Sequence, residues 1–333
     1  MTLRAAFFHG NQSPLQIQEI EKPKLGKGGV LIRLKNAALN HHDLWLLKEQ
    51  RDSMPGGVIL GSDGSGIIEA AEAEEDQYLI GKEVIINPSI GWGKDSAVQS
   101  HAFSILGYPA NGTFSDYISI SKKQVFEKPE HLSFEEAAAV PLAGLTAYRA
   151  LFSKARLRRG EKVLITGIGG GVALWAMQFA LAFDARVYVT SGSDEKLEKA
   201  KALGASGIYN YKSSDYFEKI SKEAGGFDVI IDSAAGKDFN RLLELAYPGG
   251  RVAIYGRTAG NIPDISPKTI FWKQLTIFGT TMGTQDEFLS MLDFVEKHQL
   301  KSVIDSTYPL EEINTAFKKM EEGTQFGKIV ITL

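Results

Sequence analysis

The sequence of 333 residues contains no cysteine. This absence excludes disulfide bonds, thiol catalysis and every zinc site that needs a thiolate ligand. Six histidines remain, and two of them, His41 and His42, are adjacent in the chain. Neighbouring side chains do not face each other, so a two-histidine metal site is not expected there. A site built from other histidines and carboxylates stays an alternative, but the sequence predicts a protein without a metal ion.

The sequence also lacks an excess of positive charge and a long apolar run. Lys and Arg number 37 against 40 Asp and Glu, which leaves a net charge of −3. Nothing is available to neutralise a phosphate backbone, so nucleic-acid binding is not expected. No stretch approaches the roughly 20 apolar residues that cross a bilayer, and the apolar run near the N-terminus is too short for a signal peptide. We therefore expect a cytoplasmic protein without a membrane partner.

What the chain does contain is enough apolar sequence, 44% of its residues, for about two domains. Its first third consists of short apolar runs broken by Pro and Gly, a pattern that predicts β-strands. The small and polar residues from Pro88 to Gly112 predict a long surface excursion. Residues 132–151 predict a helix that begins at Ser133 as N-cap, with Glu135 and Glu136 in its first turn.

From Lys162 onwards the pattern changes to alternating strands and helices. The six strand candidates are KVLIT, RVYVT, SGIYN, FDVIID, RVAIYG and LTIFG. Several are nearly continuous apolar runs, as expected for parallel strands that are covered on both faces. Right-handed crossovers then predict a doubly wound α/β sheet. We predict one domain over residues 1–123, completed by a C-terminal return over 284–333, and a nucleotide-binding domain over 124–283.

Glycines stand where the first strand of this second domain becomes a helix, in VLITGIGGGVALWAMQFA. Gly167, Gly169, Gly170 and Gly171 permit a tight turn and bring backbone N–H groups close to a pyrophosphate. The helix N-terminus adds its unsatisfied donors and its dipole. Ala173, a small residue, still permits close packing of helix on strand. A tight turn without a ligand is the alternative, but the five strand candidates that follow favour a nucleotide.

The end of the second strand, RVYVTSGSDEK, indicates which nucleotide. A site that prefers NAD usually has Asp or Glu at this tip, where it accepts from the ribose hydroxyls. Here no acid occurs before Asp194. Ser193 can donate to a 2′-phosphate and Lys196 can neutralise it. A solvated helix lysine is the alternative for Lys196, but together with the missing acid it predicts NADPH over NADH.

Several segments together resemble the medium-chain dehydrogenase/reductase superfamily, in its quinone oxidoreductase and 2-alkenal reductase branch. They are AALNHHDLW, ILGSDGSGIIEA, AAAVPLAGLTAYRAL, VLITGIGGGVA, the Gly192 to Lys196 stretch, IYNY, IFGTTMG and FGKIV. The resemblance runs almost end to end. It implies a Rossmann domain with a GroES-like β-rich catalytic domain. It also implies a homodimer paired through the apolar sixth strand, Leu275 to Gly279, unless other parts of the chain cover that edge.

The resemblance also bears on metals. In the zinc alcohol dehydrogenases of this superfamily, a Cys, a His and a second Cys hold the catalytic zinc. The first two positions correspond to Asn40 and Ser62, and no Cys exists for the third. The lobe that holds structural zinc corresponds to the excursion around Trp92 and Phe103. Both zinc ions are thus expected to be absent. Without that Lewis acid, the branch reduces quinones or C=C bonds conjugated to a carbonyl.

The same resemblance assigns roles to individual residues. The expected contacts are Gly167, Gly170, Gly171, Val172 and Ala173 at the phosphates, Ser193, Lys196 and Tyr211 at the 2′-phosphate, Asn40 and Thr146 near the nicotinamide, Thr281, Met282 and Gly283 at its carboxamide, Gly256 along the path between adenosine and nicotinamide, and Lys328 at the cofactor or the Asn40 loop. Structural roles are the alternatives: Tyr211 at the edge of the core, Thr146 within a helix, and Met282 in packing.

The sequence therefore predicts an NADPH-dependent oxidoreductase that passes hydride to a quinone or an α,β-unsaturated carbonyl. Asn40 would donate to the developing enolate, while no acid stands out among neighbours such as Asp43 and Asp63, so the proton is expected to come from water. One alternative is a zinc-independent NADPH ketone or aldehyde reductase. The other is a non-catalytic NADPH-binding redox sensor or structural protein, whose substrate pocket Trp45 would block.

Overall fold

The structure is a computed structural model that describes residues 3–10, 12–48 and 56–333. The chain divides into two compact units. Unit 1 comprises Met1–Leu145 and Gly283–Leu333, and unit 2 comprises Thr146–Met282. No helix of the described ranges is long and apolar enough to span a bilayer.

The first segment of unit 1 is rich in strands. Its elements are β1 (Leu3–Phe8), β2 (Gln16–Ile20), β3 (Gly29–Ala38), α1 (His41–Lys48), β4 (Val58–Ile59), β5 (Asp63–Ala71), a 3₁₀ helix (Glu74–Leu79), β6 (Glu83–Ile86), β7 (Ser89–Ile90), β8 (Ser104–Ile105), β9 (Tyr117–Ser121), a 3₁₀ helix (Lys122–Gln124), β10 (Val125–Glu127), α2 (Phe134–Ala138) and α3 (Pro141–Tyr148).

Unit 2 alternates strands and helices. Its elements are a π-helical turn (Arg149–Lys154), β11 (Lys162–Ile165), α4 (Gly171–Ala182), β12 (Arg186–Ser191), α5 (Asp194–Ala202), β13 (Gly207–Asn210), α6 (Tyr216–Ala224), β14 (Phe227–Asp232), α7 (Phe239–Leu245), β15 (Ala246–Ile254), α8 (Pro267–Lys273) and β16 (Thr276–Gly279). The return segment of unit 1 then adds α9 (Gln285–Lys297), β17 (Ile304–Pro309), a 3₁₀ helix (Leu310–Glu312), α10 (Ile313–Glu322) and β18 (Lys328–Thr332).

The main sheet of unit 1 is built around β3, which pairs with β5, β9 and β18. Among the described residues its strand order is β10-β6-β5-β3-β18-β17, and β17 and β18 are the parallel pair. Val30, Ile32 and Leu34 of β3 are buried in one apolar cluster with Ile68 of β5. A methyl group at Gly66 of β5 would lie 2.3 Å from the Arg33 carbonyl oxygen, so only glycine lets these two strands approach so closely.

The structure corrects the predicted domain boundary at residue 124. Residues 124–145 belong to unit 1, because β10 pairs antiparallel with β6 and the Ser65 hydroxyl donates to the Phe134 carbonyl at 2.6 Å. Gly283 likewise belongs to unit 1. The predicted helix over 132–151 is divided into α2, α3 and a π-helical turn. Its start is as predicted, since Ser133 and Glu136 form a reciprocal capping box.

The sheet of unit 2, all of whose residues are described, has the order β13-β12-β11-β14-β15-β16 with every neighbouring pair parallel. Starting from β11 this is the 3-2-1-4-5-6 order of a doubly wound nucleotide-binding fold, and the predicted fold class is confirmed. Both β11 and α4 are apolar because each is enclosed: Val163, Trp175 and Phe179 are almost fully buried. The carboxyl ends of the parallel strands define the edge at which such folds bind ligands.

The excursion from Pro88 to Gly112 includes the short antiparallel pair β7 and β8. Much of it is exposed, as predicted, but Trp92 is buried and meets Phe103 edge to face, with ring centroids 5.3 Å apart. The Trp92 indole also donates to the Asp95 carbonyl at 3.0 Å. An aromatic pair therefore provides the core of this lobe.

Candidate active site

The N-x-x-D spacing of the sequence begins helix α1. The backbone N–H of Asn40 donates to Asp43 Oδ2 at 2.9 Å, and the N–H of Asp43 donates to the Asn40 carbonyl at 3.0 Å. A carboxylate three residues into a helix commonly bonds back to the capping residue in this way. The exchange fixes Asn40 at the point where the chain leaves β3, so a local sequence pattern determines where its side chain lies.

Asp43 is buried, with 1% of its surface exposed. Its Oδ1 accepts a hydrogen bond from the Ser62 hydroxyl at 3.3 Å. Burial raises the pKa of Asp43 to about 7, because desolvation penalises the carboxylate and the nearby charge of Asp63 adds to that effect. The Asn40 N–H, the Lys328 ammonium and the Ser62 hydroxyl act in the opposite direction. Asp43 therefore changes charge near neutral pH.

Lys328, the first residue of β18, is 4% exposed. Its Nζ donates to the Leu39 carbonyl at 2.8 Å, to Asn40 Oδ1 at 2.5 Å and to Asp63 Oδ2 at 3.0 Å. An ammonium group has three N–H donors, and these three bonds use all of them. The resulting group of Asn40, Asp43, Ser62, Asp63 and Lys328 is called the polar cluster below.

Asp63 joins the polar cluster to the surrounding backbone. It is fully buried, and its Oδ2 accepts from both Lys328 and Asn40 Nδ2, the latter at 3.0 Å. Its Oδ1 accepts from the Leu142 N–H at 2.8 Å, while the Thr113 hydroxyl donates to its carbonyl at 2.7 Å. A buried carboxylate is tolerated when it is paired and hydrogen-bonded, and Asp63 is both.

The polar cluster brings together two residues that the sequence analysis singled out, Asn40 and Lys328. Of the two contacts expected for Lys328, the structure contains the one to the Asn40 loop. Asp63 had no predicted role, although an acid at the start of an apolar strand is a detectable signal. Trp45 on α1 is 37% exposed. Within residues 3–10, 12–48 and 56–333, no group of three or more His, Asp or Glu side chains has the geometry of a metal site.

In unit 2 the glycine-rich turn joins β11 to α4. Gly167 has φ +68° and Gly169 has φ +118°, which are left-handed conformations that glycine adopts at no steric cost. Gly170 is the N-cap of α4, and a methyl group there would meet only the Gly167 carbonyl, 4.0 Å away. A ligand can therefore approach the backbone closely. Gly171 and Val172 open the helix, whose first-turn N–H groups have no partner within it, and Ala173 is fully buried against its surroundings.

A buried network lies below this turn. Asp232, at the end of β14, accepts from the Thr166 hydroxyl at 2.7 Å and from the N–H groups of Ala234 and Ala235 at 3.2 and 2.8 Å. Burial raises the pKa of Asp232, against the effect of these bonds. The Ser233 hydroxyl donates to the Thr166 carbonyl at 3.1 Å. Sequence reasoning missed this network, although an acid that ends the apolar run FDVIID is visible in the sequence.

Gly256 lies against the same loop. A methyl group at Gly256 would be 2.6 Å from the Ser233 carbonyl oxygen, and the neighbouring Tyr255 N–H donates to the Asp232 carbonyl at 3.0 Å. Close approach of two loops therefore requires glycine at this position, whether or not a cofactor passes it.

The three residues predicted for the 2′-phosphate gather at the end of β12. The Tyr211 ring lies beside Gly192, where a methyl group would be 2.7 Å from its hydroxyl, and Tyr211 is 49% exposed. Ser193 is the N-cap of α5 and accepts from the Lys196 N–H at 3.4 Å. The nearest acid, Asp194, accepts from the Asn210 amide at 2.7 Å. Ser193, Lys196 and Tyr211 thus lie at the carboxyl end of β12, where the nearest acid, Asp194, is bonded to Asn210.

Thr146 and Met282 lie together at the ends of unit 2. The Thr146 hydroxyl contacts Met282 Sδ at 4.0 Å, and both residues are almost completely buried. Met282 has φ +39°, an uncommon conformation for a residue with a side chain. Thr281 before it is partly exposed, whereas the Gly283 carbonyl accepts from the Ser89 hydroxyl at 2.6 Å within unit 1. Met282 and Gly283 thus each have a contact within their own unit.

Comparison with known proteins gives matches along nearly the whole chain. Residues 26–130 match the family model of the alcohol dehydrogenase GroES-like domain, and residues 171–297 match that of the zinc-binding dehydrogenases. The zinc-type alcohol dehydrogenase-like protein YogA of Leptosphaeria maculans is 36% identical over 355 residues, covering 100% of this chain and 99% of that protein. The quinone oxidoreductase of Homo sapiens is 31% identical over 282 residues, covering 82% of this chain and 79% of the relative.

Solved structures agree with these matches. The crystal structure of an NAD-dependent alcohol dehydrogenase has a TM-score of 0.92 and 34% sequence identity, and the match covers 99% of both chains. The β-rich fold of unit 1 and the parallel sheet of unit 2 are therefore the two domains that such dehydrogenases share.

Proposed function

Because this chain is an oxidoreductase of the medium-chain dehydrogenase/reductase superfamily, we propose that it uses NADPH to reduce a small activated electrophile, a quinone or an α,β-unsaturated carbonyl, without zinc. The observation that carries the proposal is the polar cluster, in which Lys328 donates to Asn40 Oδ1 and Asp63 Oδ2. That cluster stands where the resemblance expects the ligands of a catalytic zinc.

Zinc does not fit the residues of the polar cluster. The sequence has no thiolate to offer, and Asn40 and Ser62 are neutral oxygen ligands in place of a Cys and a His. Lys328 Nζ lies 2.5 Å from Asn40 Oδ1 and 3.0 Å from Asp63 Oδ2, so an ammonium group already binds these two oxygens. A dication there would meet electrostatic repulsion from the ammonium group. These contacts support a reaction that does not rely on a metal Lewis acid.

NADPH fits the residues of unit 2. The turn at Gly167 to Gly171 offers open backbone at Gly170 and the start of α4 to a pyrophosphate. At the end of β12 the chain offers Ser193, Lys196 and Tyr211, all able to donate to a 2′-phosphate. Asp194, the acid closest to this tip, is bonded to Asn210. We propose NADPH as the preferred cofactor on these grounds, although one structurally similar protein is an NAD-dependent enzyme.

The reaction requires that the chain position the substrate and stabilise the negative charge that develops on its oxygen. When bound, NADPH supplies the hydride. Hydride addition to the β-carbon of an enone moves the π electrons onto the carbonyl oxygen, and this oxyanion needs a hydrogen-bond donor. Asn40 Nδ2 uses one N–H on Asp63 and has a second for the substrate oxygen. The α-carbon takes its proton from water, which matches the lack of an assigned acid.

The test is a panel of substrates with both cofactors. Purified protein is mixed with NADPH or NADH and with a small enone, a quinone, a simple ketone or an aldehyde, and loss of reduced-nicotinamide absorbance is followed. We expect the highest kcat/KM with NADPH and the enone or quinone. Faster turnover of the ketone or aldehyde would instead identify a carbonyl reductase. Tight NADPH binding without turnover of any electrophile would show that the protein is not an enzyme of this kind.

A further inference from the structure

The orientation of the Asn40 side-chain amide is fixed from both ends. Lys328 Nζ, a pure donor, lies 2.5 Å from Oδ1, and Asp63 Oδ2, an acceptor, lies 3.0 Å from Nδ2. A flipped amide would place its NH₂ group against an ammonium and its oxygen against a carboxylate. Both charge-assisted hydrogen bonds would be replaced by repulsive contacts in a buried site. Only one of the two orientations is therefore compatible with these neighbours.

The two neighbours are themselves held by the backbone. The third donor of Lys328 is used by the Leu39 carbonyl at 2.8 Å, and Asp63 Oδ1 accepts from the Leu142 N–H at 2.8 Å. Lys328 is 4% exposed and Asp63 is fully buried, so water does not compete for these bonds. The orientation of the Asn40 amide is thus determined by β5, β18 and the backbone that follows β3.

From this arrangement we propose that Lys328 and Asp63 are positioning residues, which commit Asn40 to act as a hydrogen-bond donor and so select substrates that present an acceptor oxygen. The proposal rests on the proposed function and specifies its substrate class further. Asn40 Oδ1 is taken by Lys328, so Asn40 offers no acceptor for the hydroxyl proton of an alcohol. Among the described contacts, the second Nδ2 proton of Asn40 has no acceptor. It can therefore be donated to a carbonyl or quinone oxygen.

This arrangement also suits the transition state of hydride transfer to such a substrate. As hydride adds to the substrate carbon, the electron pair of the C=C or C=O bond moves onto the substrate oxygen. The Asn40 N–H stabilises that negative charge, and the Lys328 ammonium on the other end of the amide polarises it further. An alcohol substrate would in addition need a base for its hydroxyl proton, and the Asn40 amide is not one.

The kinetic test compares Lys328→Met with Lys328→Arg and with a matched control. Lys319 forms an ion pair with Asp305 at 2.5 Å elsewhere in unit 1, so Lys319→Met removes a lysine without touching the polar cluster. We expect Lys328→Met to lower kcat for an enone at least tenfold while leaving the KM for NADPH within about twofold. Lys328→Arg should recover part of that loss, and Lys319→Met should behave as wild type. Thermal melts and NADPH titrations establish that each variant is folded.

A second measurement does not depend on turnover. In ¹⁵N-labelled protein, the side-chain amide signals of Asn40 are assigned by their loss in Asn40→Asp. The wild type should show one amide proton protected from exchange, bonded to Asp63, and Asp63→Ala should remove that protection. Two rapidly exchanging protons in the wild type would overturn the positioning role even in an active enzyme. So would a folded Lys328→Met with unchanged kcat. A wild type inactive on every electrophile, with the protected proton present, would instead contradict the proposed function alone.

Discussion

The polar cluster of unit 1 and the glycine-rich turn of unit 2 provide binding groups in opposite ways. In the cluster, side chains from the turn between β3 and α1, from α1, from the start of β5 and from β18 bond to one another, and Lys328 uses its third donor on the Leu39 carbonyl. In the turn, side chains are largely missing, and the open backbone at Gly170 with the first turn of α4 provides the donors. A buried charged side chain therefore needs partners from parts of the chain that are far apart in sequence. An anion-binding site needs only a turn and the start of a helix.

The largest effect is expected from breaking the cluster at its carboxylate. Asp63→Ala leaves the Lys328 ammonium buried without its counterion, which typically costs about 3–5 kcal/mol. Chemical denaturation should show that loss in the free energy of unfolding. The control is Glu321→Ala, which removes the partner of the exposed Lys48 and should cost about 1 kcal/mol or less. Equal losses in the two variants would argue that the cluster gives no special stabilisation to its charge.

The sequence revealed less of the polar cluster than of the glycine-rich turn, because the residues of the cluster are far apart in the chain. Lys328 lies 288 residues from Asn40 and 265 from Asp63 in the chain, so no local pattern connects them. The turn, by contrast, is contiguous, and its strand, glycines and helix could be predicted together. The resemblance suggested Lys328 near the Asn40 loop, but only the packing of β18 beside β3 makes the contact and its direction visible.

The predicted domain boundary at residue 124 was wrong for a related reason. Residues 124–145 precede the first strand of the alternating pattern and were grouped with it, yet their partners are β6 and Asp63 in the other unit. Long-range pairing, which periodicity does not encode, decided where the segment belongs. In unit 2 each strand pairs in parallel with a strand of the same alternating series, and there the pattern was sufficient.

The second prediction concerns pH. The folded pKa of Asp43 is raised to about 7 from the ordinary 3.8, so between those values the folded protein binds more protons than the unfolded chain. The contribution of Asp43 to stability is then greatest at the acidic end of this interval and falls as the pH rises toward 7, by about 1.4 kcal/mol for each pKa unit of the shift. Asp43→Asn, which cannot ionise, should remove this contribution in denaturation series from pH 4 to 8. The same pH dependence in the wild type and in Asp43→Asn would contradict the assignment.

The third prediction tests the nucleotide side of the comparison. Lys196→Ala should weaken NADPH binding by about 1.5–3 kcal/mol, the range for a hydrogen bond to a charged group, and should hardly change NADH binding. Lys199→Ala is a matched control on the same helix, because Lys199 pairs with Glu195 at 2.6 Å. Calorimetric titration of both cofactors decides the matter. If Lys196→Ala weakens the two cofactors equally, Lys196 has no part at the 2′-phosphate.

The smallest effect is expected at the sheet edge. Strand β16 ends the sheet of unit 2, and on the adjacent helix Phe271 and Trp272 are 64% and 77% exposed. We expect a homodimer that pairs β16 with its copy about a twofold axis. Ile277→Lys should weaken that dimer about tenfold, or roughly 1.4 kcal/mol. Sedimentation velocity at micromolar concentration measures it, and a wild type that remains monomeric at high concentration would show that the edge is covered within one chain.

We propose that the Lys328-centred cluster serves reduction by NADPH without zinc. The most direct measurement follows NADPH oxidation with a small enone before and after exhaustive dialysis against a strong chelator, with metal content determined in the same samples. We expect zinc far below one equivalent, and the same kcat before and after dialysis. Activity that disappears with the chelator and returns with one equivalent of zinc would contradict it.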